Sequence, residues 1–96
     1  MRNVSEIDLI GLENNDTVVF YEVRYRQYHA YGTAVESINR AKQQRIIKTA
    51  LFFLATHAHL KKHTFRFDIV GASSYNGKIE FNWQKDAFQY QELVWI

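Results

Sequence analysis

The stretch from Val18 to Arg26 reads V-V-F-Y-E-V-R-Y-R, and it predicts the centre of a covered sheet. Its first four residues are all β-branched or aromatic, so both faces of an extended chain would present large apolar side chains, as in a strand packed on both sides. Glu22 and Arg24 follow two residues apart, and the period of a strand places them on one face. A carboxylate and a cation in a core strand are costly unless they are paired or used, which makes both candidate site residues.

Just upstream, residues 5–12 read S-E-I-D-L-I-G-L and predict a first strand that carries Glu6 and Asp8 on one face. The polar residues 13–16, E-N-N-D, separate the two strand patterns. A connection this short predicts an antiparallel hairpin.

Asp8, Glu22 and Arg24 have the spacing D-x13-E-x-(K/R), which is typical of metal-dependent nuclease centres of the PD-(D/E)xK type. Hydrolysis of a phosphodiester needs an activated water and stabilised oxygens, and Mg²⁺ or Mn²⁺ supplies both. Because Mg²⁺ often takes only one or two carboxylates plus waters, Asp8 and Glu22 would suffice, with the carbonyl oxygen of Val23 as a further ligand. The alternative is an ion-pair network, in which these acids only neutralise Arg24 or nearby helix cations.

Composition restricts the class of protein. Ninety-six residues with 47% apolar content predict a single globular domain over residues 1–96. The absence of cysteine excludes a disulfide framework and a thiolate site. No run approaches the roughly 18 apolar residues of a transmembrane span, and the start, M-R-N-V-S-E, lacks the apolar core of a signal peptide. We therefore expect a cytoplasmic protein without membrane association.

The net charge of +2 is unevenly distributed along the chain. Residues 22–66 hold nine Lys or Arg against two acids, whereas the rest of the chain holds three against eight. A basic middle beside acidic flanks favours a surface for a polyanion next to a carboxylate cluster. A solvated helix face would explain the same charges.

Beyond the central strand, residues 27–32 predict a loop, and a helix is expected from Thr33 to about Thr56. Thr33 and Glu36 have the spacing of a capping box, which marks a helix start. Three further segments complete the pattern: a connection over residues 57–64, strands over 65–72 and 78–83, and a turn around Asn76-Gly77 between them.

The predicted helix has an apolar and a basic side. The apolar stripe consists of Ile38, Ala41, Ile47, Ala50, Leu51, Leu54 and Ala58. The basic side carries four cations at spacings of two and three residues, which suits contacts along a phosphate backbone. With one cation from the central strand, the predicted nucleic-acid-binding residues are Arg26, Arg40, Lys42, Arg45 and Lys48.

Five motifs occur in order: S-E-I-D-L-I, V-F-Y-E-V-R-Y-R, the helix A-V…K-Q-Q-R-I…A…L, R-F-D-I-V and K-D-A-F. Together they resemble the YraN-like family of predicted bacterial endonucleases, distant relatives of archaeal Holliday junction resolvases. The resemblance implies a restriction-endonuclease-like α/β fold, with a mixed β-sheet flanked by helices. It also implies that Asp8 and Glu22 bind metal, that Glu6 is an additional acid near the metal, and that Arg24 stands where the superfamily usually has lysine.

Two departures from the family pattern matter. Ser5 replaces a glycine that many members carry, which is a mild change. The chain also starts where the family has a further N-terminal helical segment, so we expect one sheet face to be less covered and a homodimer to be one way of covering it. Because arginine stays charged, Arg24 suits a clamp on the phosphate, and Lys42 is the candidate for the missing lysine. The alternative for Lys42 is a solvated helix lysine.

Other titratable residues suit structural roles. His59 and His63 are four residues apart, but a zinc site would need a glutamate and a third ligand that the segment lacks. Asp68 is expected to pair with Arg66 rather than to reach a metal.

We therefore expect a four-strand mixed sheet with one long helix after the central strand, and a Mg²⁺- or Mn²⁺-dependent endonuclease acting on DNA, including branched DNA. Two alternatives stay open. One is a nucleic-acid-binding protein of the same fold that does not cleave. The other is a protein-interaction scaffold whose acids form only ion pairs.

Overall fold

The structure is a computed structural model, and it describes residues 6–27 and 38–90. Among these residues, no helix is long and apolar enough to cross a membrane. The elements are β1 (Leu9–Glu13), β2 (Thr17–Gln27), α1 (Arg40–Ala55), a short 3-10 turn (Ala58–Leu60), β3 (Thr64–Tyr75) and β4 (Lys78–Phe88).

The four strands form one mixed sheet in the order β1-β2-β3-β4. β1 and β2 are antiparallel, β2 and β3 are parallel with Phe20 opposite Phe67, and β3 and β4 are antiparallel with Val70 opposite Trp83. Parallel neighbours need a crossover, and α1 lies in the connection between β2 and β3. The α/β class and the mixed sheet are as predicted, and they are consistent with a restriction-endonuclease-like fold.

Left-handed backbone conformations close both hairpins. Asn14 and Asn15 have φ angles of 53° and 61° between β1 and β2, and Asn76 and Gly77 have 50° and 77° between β3 and β4. Asparagine and glycine enter this region at the lowest cost. Two consecutive positive φ angles match the twist of the flanking strands, so each turn sets the register of its hairpin.

The core lies between α1 and one face of the sheet, which we call the helix-facing side. Phe20 stacks on Phe67 with ring centroids 5.5 Å apart, and Ile46 and Ala50 of α1 are buried in the same cluster. Burial of these apolar groups is the main stabilising term. Because side chains alternate along β2, Glu22 lies on the same helix-facing side as Phe20. The core therefore ends at a buried carboxylate.

The helix begins later than the sequence indicates. Asn39 is the N-cap, with φ −73° and ψ 171°, and its Oδ1 accepts a 2.8 Å hydrogen bond from the N–H of Lys42. The prediction of a continuous helix from Thr33 is therefore wrong, because Ile38 and Asn39 are not helical. Asparagine satisfies an otherwise unpaired N–H of the first turn, and this local bond sets the start at Arg40. The capping box at Thr33 lies outside the described residues.

The buried side of α1 also differs from the predicted stripe. Ile46 is buried although the stripe did not include it, and Ala41 is exposed although the stripe did. Ile47 and Leu54 are only partly buried and lie at the edge of the core. Ile38 and Ala50 are buried as predicted, so the buried face overlaps the stripe and extends on one side to Ile46.

Three strand boundaries differ from the prediction by more than one residue. β1 begins at Leu9, so Glu6 and Asp8 precede it rather than lie within it. The N–H of Val23 is bonded to the Asp8 carboxylate, which explains why the backbone ladder stops there. At the other end of the chain, β3 continues to Tyr75 and β4 continues to Phe88. The two strands pair from Tyr75 and Lys78 at the tight turn to Ile69 and Gln84, and Phe67 pairs with Phe88 beyond an irregularity in the register.

The second face of the sheet, which we call the open face, is only partly covered. Val19 is fully buried, but Val23 and Tyr25 further along β2 are 46% and 60% exposed. The predicted burial of both faces over the apolar run is confirmed at Val18, Val19 and Phe20, whereas the open face is uncovered further along β2. On β4, Phe81 is 74% exposed on the same face.

Candidate metal centre

Asp8 and Glu22 meet beside the central strand. Asp8 precedes β1 and is exposed, and its Oδ2 accepts a 2.8 Å hydrogen bond from the backbone N–H of Val23. Glu22 is the neighbour of Val23 in β2 and is only 5% exposed. The hairpin therefore brings together the two carboxylates that the sequence predicts as metal ligands.

Glu22 is poorly satisfied for a buried acid. Its Oε1 is buried and has no hydrogen-bond partner, and its Oε2 lies 3.9 Å from Nη1 of Arg24. Burial raises the pKa of Glu22 and the charge of Asp8 raises it further, while Lys42 and Arg24 act in the opposite direction. A desolvated carboxylate oxygen without a donor is costly, so this position favours either a proton or a cation.

Glu6 is bound by two cations of α1. Nζ of Lys42 donates to Oε1 of Glu6 at 2.9 Å, and Nε of Arg45 lies 3.5 Å from the same oxygen. The hydrogen bond from Lys42 lowers the pKa of Glu6. Lys42 also acts on Glu22, because its charge opposes the rise in the Glu22 pKa. The charge of Lys42 therefore acts on both Glu6 and Glu22.

Four of the five predicted nucleic-acid-binding residues lie on α1. Arg40, Arg45 and Lys48 are exposed, whereas Lys42 is partly buried against Glu6. The side chain of Arg26 lies outside the described residues. Arg40 also borders an open groove of about 620 Å³ between α1 and the end of β4, whose other polar lining residues are Gln43, Gln44, Asp86, Gln89 and Tyr90.

The side chains near Asp8 and Glu22 determine which metal ion could bind there. Among residues 6–27 and 38–90, no three His, Cys, Asp or Glu side chains are arranged to hold a metal by themselves. Two carboxylates fit Mg²⁺ or Mn²⁺, since Mg²⁺ prefers oxygen ligands and keeps several waters. Oε1 of Glu22 is buried without a hydrogen-bond partner, so a cation bound there would stabilise its charge. Asp8 and Glu22 are therefore suited to a magnesium-type site and not to a closed zinc site.

Asp68 belongs to a separate structural network, as the sequence indicates. Arg66 donates to both of its oxygens, at 2.9 and 3.1 Å, and Trp83 Nε1 and the backbone N–H of Asp86 each donate at 2.9 Å. Arg66 also donates to Glu13 at 2.7 Å. Burial acts to raise the pKa of Asp68, but these donors outweigh it and hold the pKa below its usual value. A carboxylate with four donors has little capacity left for a metal.

Gln84 is a half-buried polar residue that sequence reasoning missed. Its Oε1 is buried without a partner, like Oε1 of Glu22. The two residues share one row of the sheet, because Glu22 is opposite Ile69 and Ile69 is opposite Gln84. The alternating pattern predicts that the fourth strand ends at residue 83. Extending the same alternation by one residue places Gln84 on the helix-facing side.

Comparison with known proteins places this architecture in a family. The model of the uncharacterised protein family UPF0102 matches residues 1–72. A UPF0102 protein of Stutzerimonas stutzeri is 45% identical over 84 residues, which are 88% of this chain and 69% of the relative. One of Nitrosococcus oceani is 40% identical over 92% of this chain and 70% of the relative, and one of Pseudomonas putida is 42% identical over 88% and 68%. The chain therefore belongs to the UPF0102 family.

Proposed function

We propose that this protein is a metal-dependent endonuclease that hydrolyses DNA phosphodiesters, with Asp8 and Glu22 as the ligands of Mg²⁺ or Mn²⁺. The observation that carries the proposal is the buried, unpartnered Oε1 of Glu22 beside a second carboxylate. Resemblance of the motifs to the YraN-like predicted endonucleases supports the same chemistry. A cation would relieve both the desolvation of Glu22 and its repulsion by Asp8.

Each residue of the site has a role that follows from its environment. The bound ion would supply Lewis-acid activation of the phosphodiester and of water. The N–H of Val23 orients Asp8, and burial of Glu22 keeps its side of the site dry. Arg24, with its guanidinium 3.9 Å from Glu22, can hold a phosphate oxygen by charge-assisted hydrogen bonds. Lys42 balances the charge of the acids.

The substrate follows from the basic side of α1. Arg40, Arg45 and Lys48 are exposed on one helix and suit contacts to consecutive phosphates, and Arg26 at the end of β2 would extend them. DNA is the polyanion we propose, and branched DNA is suggested only by the resemblance to resolvases. Such an enzyme would act in the cytoplasm.

Thermal unfolding with and without millimolar Mn²⁺ or Mg²⁺ tests the metal site directly. A ligand that binds only the folded state raises the Tm by mass action. We expect a rise for the wild type and none for the double variant Asp8→Asn with Glu22→Gln. Glu80→Gln is the matched control, since Glu80 is an exposed acid on β4. An equal rise in all three proteins would exclude Asp8 and Glu22 as the ligands.

A second candidate function is DNA binding without cleavage. It is favoured by the presence of an arginine, Arg24, at the position where lysine is usual. Arginine cannot lose its proton to activate a water, so the usual lysine chemistry is unavailable at this position. The two functions separate in an assay with branched and linear DNA in the presence of Mn²⁺. Cleavage lost in Asp8→Asn supports the nuclease. Salt-dependent binding without any cleavage supports the second candidate.

A further inference from the structure

The open face of the sheet carries a continuous apolar surface. Register places Val23, Val70 and Trp83 side by side in one row and Tyr25, Ala72 and Phe81 in the next. The exposed fractions of the large apolar residues here run from 46% to 74%. These large residues are Leu9, Val23, Tyr25, Ile79, Phe81 and Trp83.

The area of this surface is large for a small monomer. Tyr25, Phe81 and Trp83 are 60%, 74% and 50% exposed. At about 200 Å² for each aromatic side chain, these three alone leave roughly 350–400 Å² of exposed surface. Ile79, Leu9 and Val23 add to it, so the patch reaches the upper end of what monomers expose and approaches the roughly 800 Å² per partner of a stable interface.

The shape of the open face suits another copy of itself. Val70 and Ala72 of β3 lie between Tyr25 on β2 and Phe81 on β4 and are smaller than both, so side-chain size predicts a shallow groove along β3. In a two-fold arrangement, Phe81 of each copy can enter the groove over the partner's Ala72. A ridge and a groove on one surface provide the self-complementarity that an isologous interface requires.

The charges that border the open face are already neutralised. Arg66 is held by Glu13 and Asp68, and Asp68 also accepts the hydrogen bond of Trp83 Nε1. Lys85 lies over the Trp83 ring, 4.6 Å from its centroid. Covering this face would therefore require little desolvation of unpaired charge, which is the usual obstacle to burial.

We propose that the open face is a homodimer interface, in which a second copy of this chain packs its own open face against it, sheet on sheet. Nucleic acid is the less suitable occupant: Tyr25, Phe81 and Trp83 could stack on bases, but single-strand binding also needs a basic groove that tracks the backbone. The cations that suit a phosphate backbone lie on α1, which packs on the opposite face. The dimer would thus leave the candidate metal centre and the basic side of α1 accessible.

Sedimentation equilibrium from micromolar to hundreds of micromolar protein tests this proposal. We expect the wild-type mass to approach twice the monomer mass, and Phe81→Glu to weaken dimerisation by about tenfold or more, since a buried aromatic anchor carries much of an interface. Ile79→Lys is a second variant on the same face. Phe52→Glu is the matched control, because Phe52 is 53% exposed on α1. Circular dichroism confirms that each variant is folded.

Crosslinking gives an independent readout that does not depend on metal or activity. The chain contains no cysteine, so Phe81→Cys introduces a single thiol. We expect it to form a covalent dimer, and Phe52→Cys to form none. A wild type that stays monomeric at every concentration would overturn the proposal. So would equal weakening by Phe81→Glu and Phe52→Glu. A monomer in which Phe81→Glu weakens binding of single-stranded DNA would instead assign the open face to nucleic acid.

Discussion

The backbone N–H of Val23 donates a 2.8 Å hydrogen bond to Oδ2 of Asp8 and so ties an acid outside the sheet to the strand that carries Glu22. The two carboxylates are held near each other by the protein, although burial and the charge of Asp8 raise the pKa of Glu22 and Lys42 and Arg24 only oppose that rise. An arrangement that keeps like charges together costs stability, and such costs concentrate at functional sites. The Val23–Asp8 bond is thus the contact that organises the candidate centre.

Replacing Glu22 by glutamine should stabilise the protein in the absence of metal. Burial and the charge of Asp8 both raise the pKa of Glu22, so the ionised form is disfavoured in the folded state and a neutral isostere removes that penalty. We expect the Tm at neutral pH to rise by a few degrees in a chelator and the metal-induced shift to disappear. A lower Tm than wild type in chelator would show that the Glu22 charge is satisfied by the protein itself.

Replacing Arg24 by lysine should increase cleavage of DNA. Lysine can take part in proton transfer, whereas arginine acts only as a fixed charge, and general acid–base groups contribute about a hundredfold or more. We expect the single-turnover rate in Mn²⁺ to rise by about tenfold or more, with the Kd for DNA nearly unchanged. Arg24→Met is the control that removes the charge. Loss of cleavage in both variants would indicate that the arginine itself is required.

Replacing Arg66 by methionine should destabilise the fold strongly. Asp68 is 1% exposed and takes two of its hydrogen bonds from Arg66, so the variant leaves a buried charge without its counter-ion. We expect a loss of about 3–5 kcal/mol in the free energy of unfolding, measured by urea denaturation. Adding Asp68→Asn to the variant should recover part of the loss. Arg40→Met, at an exposed position, should have little effect.

The same network predicts how stability depends on pH. Donors from Arg66, Asp86 and Trp83 overcome the effect of burial and lower the pKa of Asp68 below 3.8 in the folded state. The unfolded chain therefore takes up the proton first, and the stability from Asp68 is present above its ordinary pKa and lost as the pH falls through the folded value. We expect urea unfolding to show this loss below about pH 4. In Arg66→Met with Asp68→Asn, the slope in that range should be smaller.

Local periodicity in the sequence was sufficient to predict most of the elements, because alternation and turn residues are properties of short segments. The apolar run at the start of β2, the two hairpin turns and the helix between β2 and β3 came from the residues, whereas the mixed sheet was implied by the resemblance to the YraN-like family. The pairing of Asp68 with Arg66 was predictable for the same reason, since residues two apart in a strand share a face. The spacing of Asp8 and Glu22 predicted a metal centre, and that assignment stays a prediction.

Only the tertiary structure decided how the acids are distributed and which surface stays open. Glu6 is bound by Lys42 and Arg45, partners 36 and 39 positions away, and Asp8 lies outside the strand that its sequence pattern indicates. Such pairings depend on how α1 packs on the sheet, which no local period encodes. The open face has the same cause: both faces of β2 carry apolar side chains that favour burial, but among residues 6–27 and 38–90 the helix α1 packs on only one of these faces. A sequence predicts which residues favour burial, whereas packing determines which of them are covered.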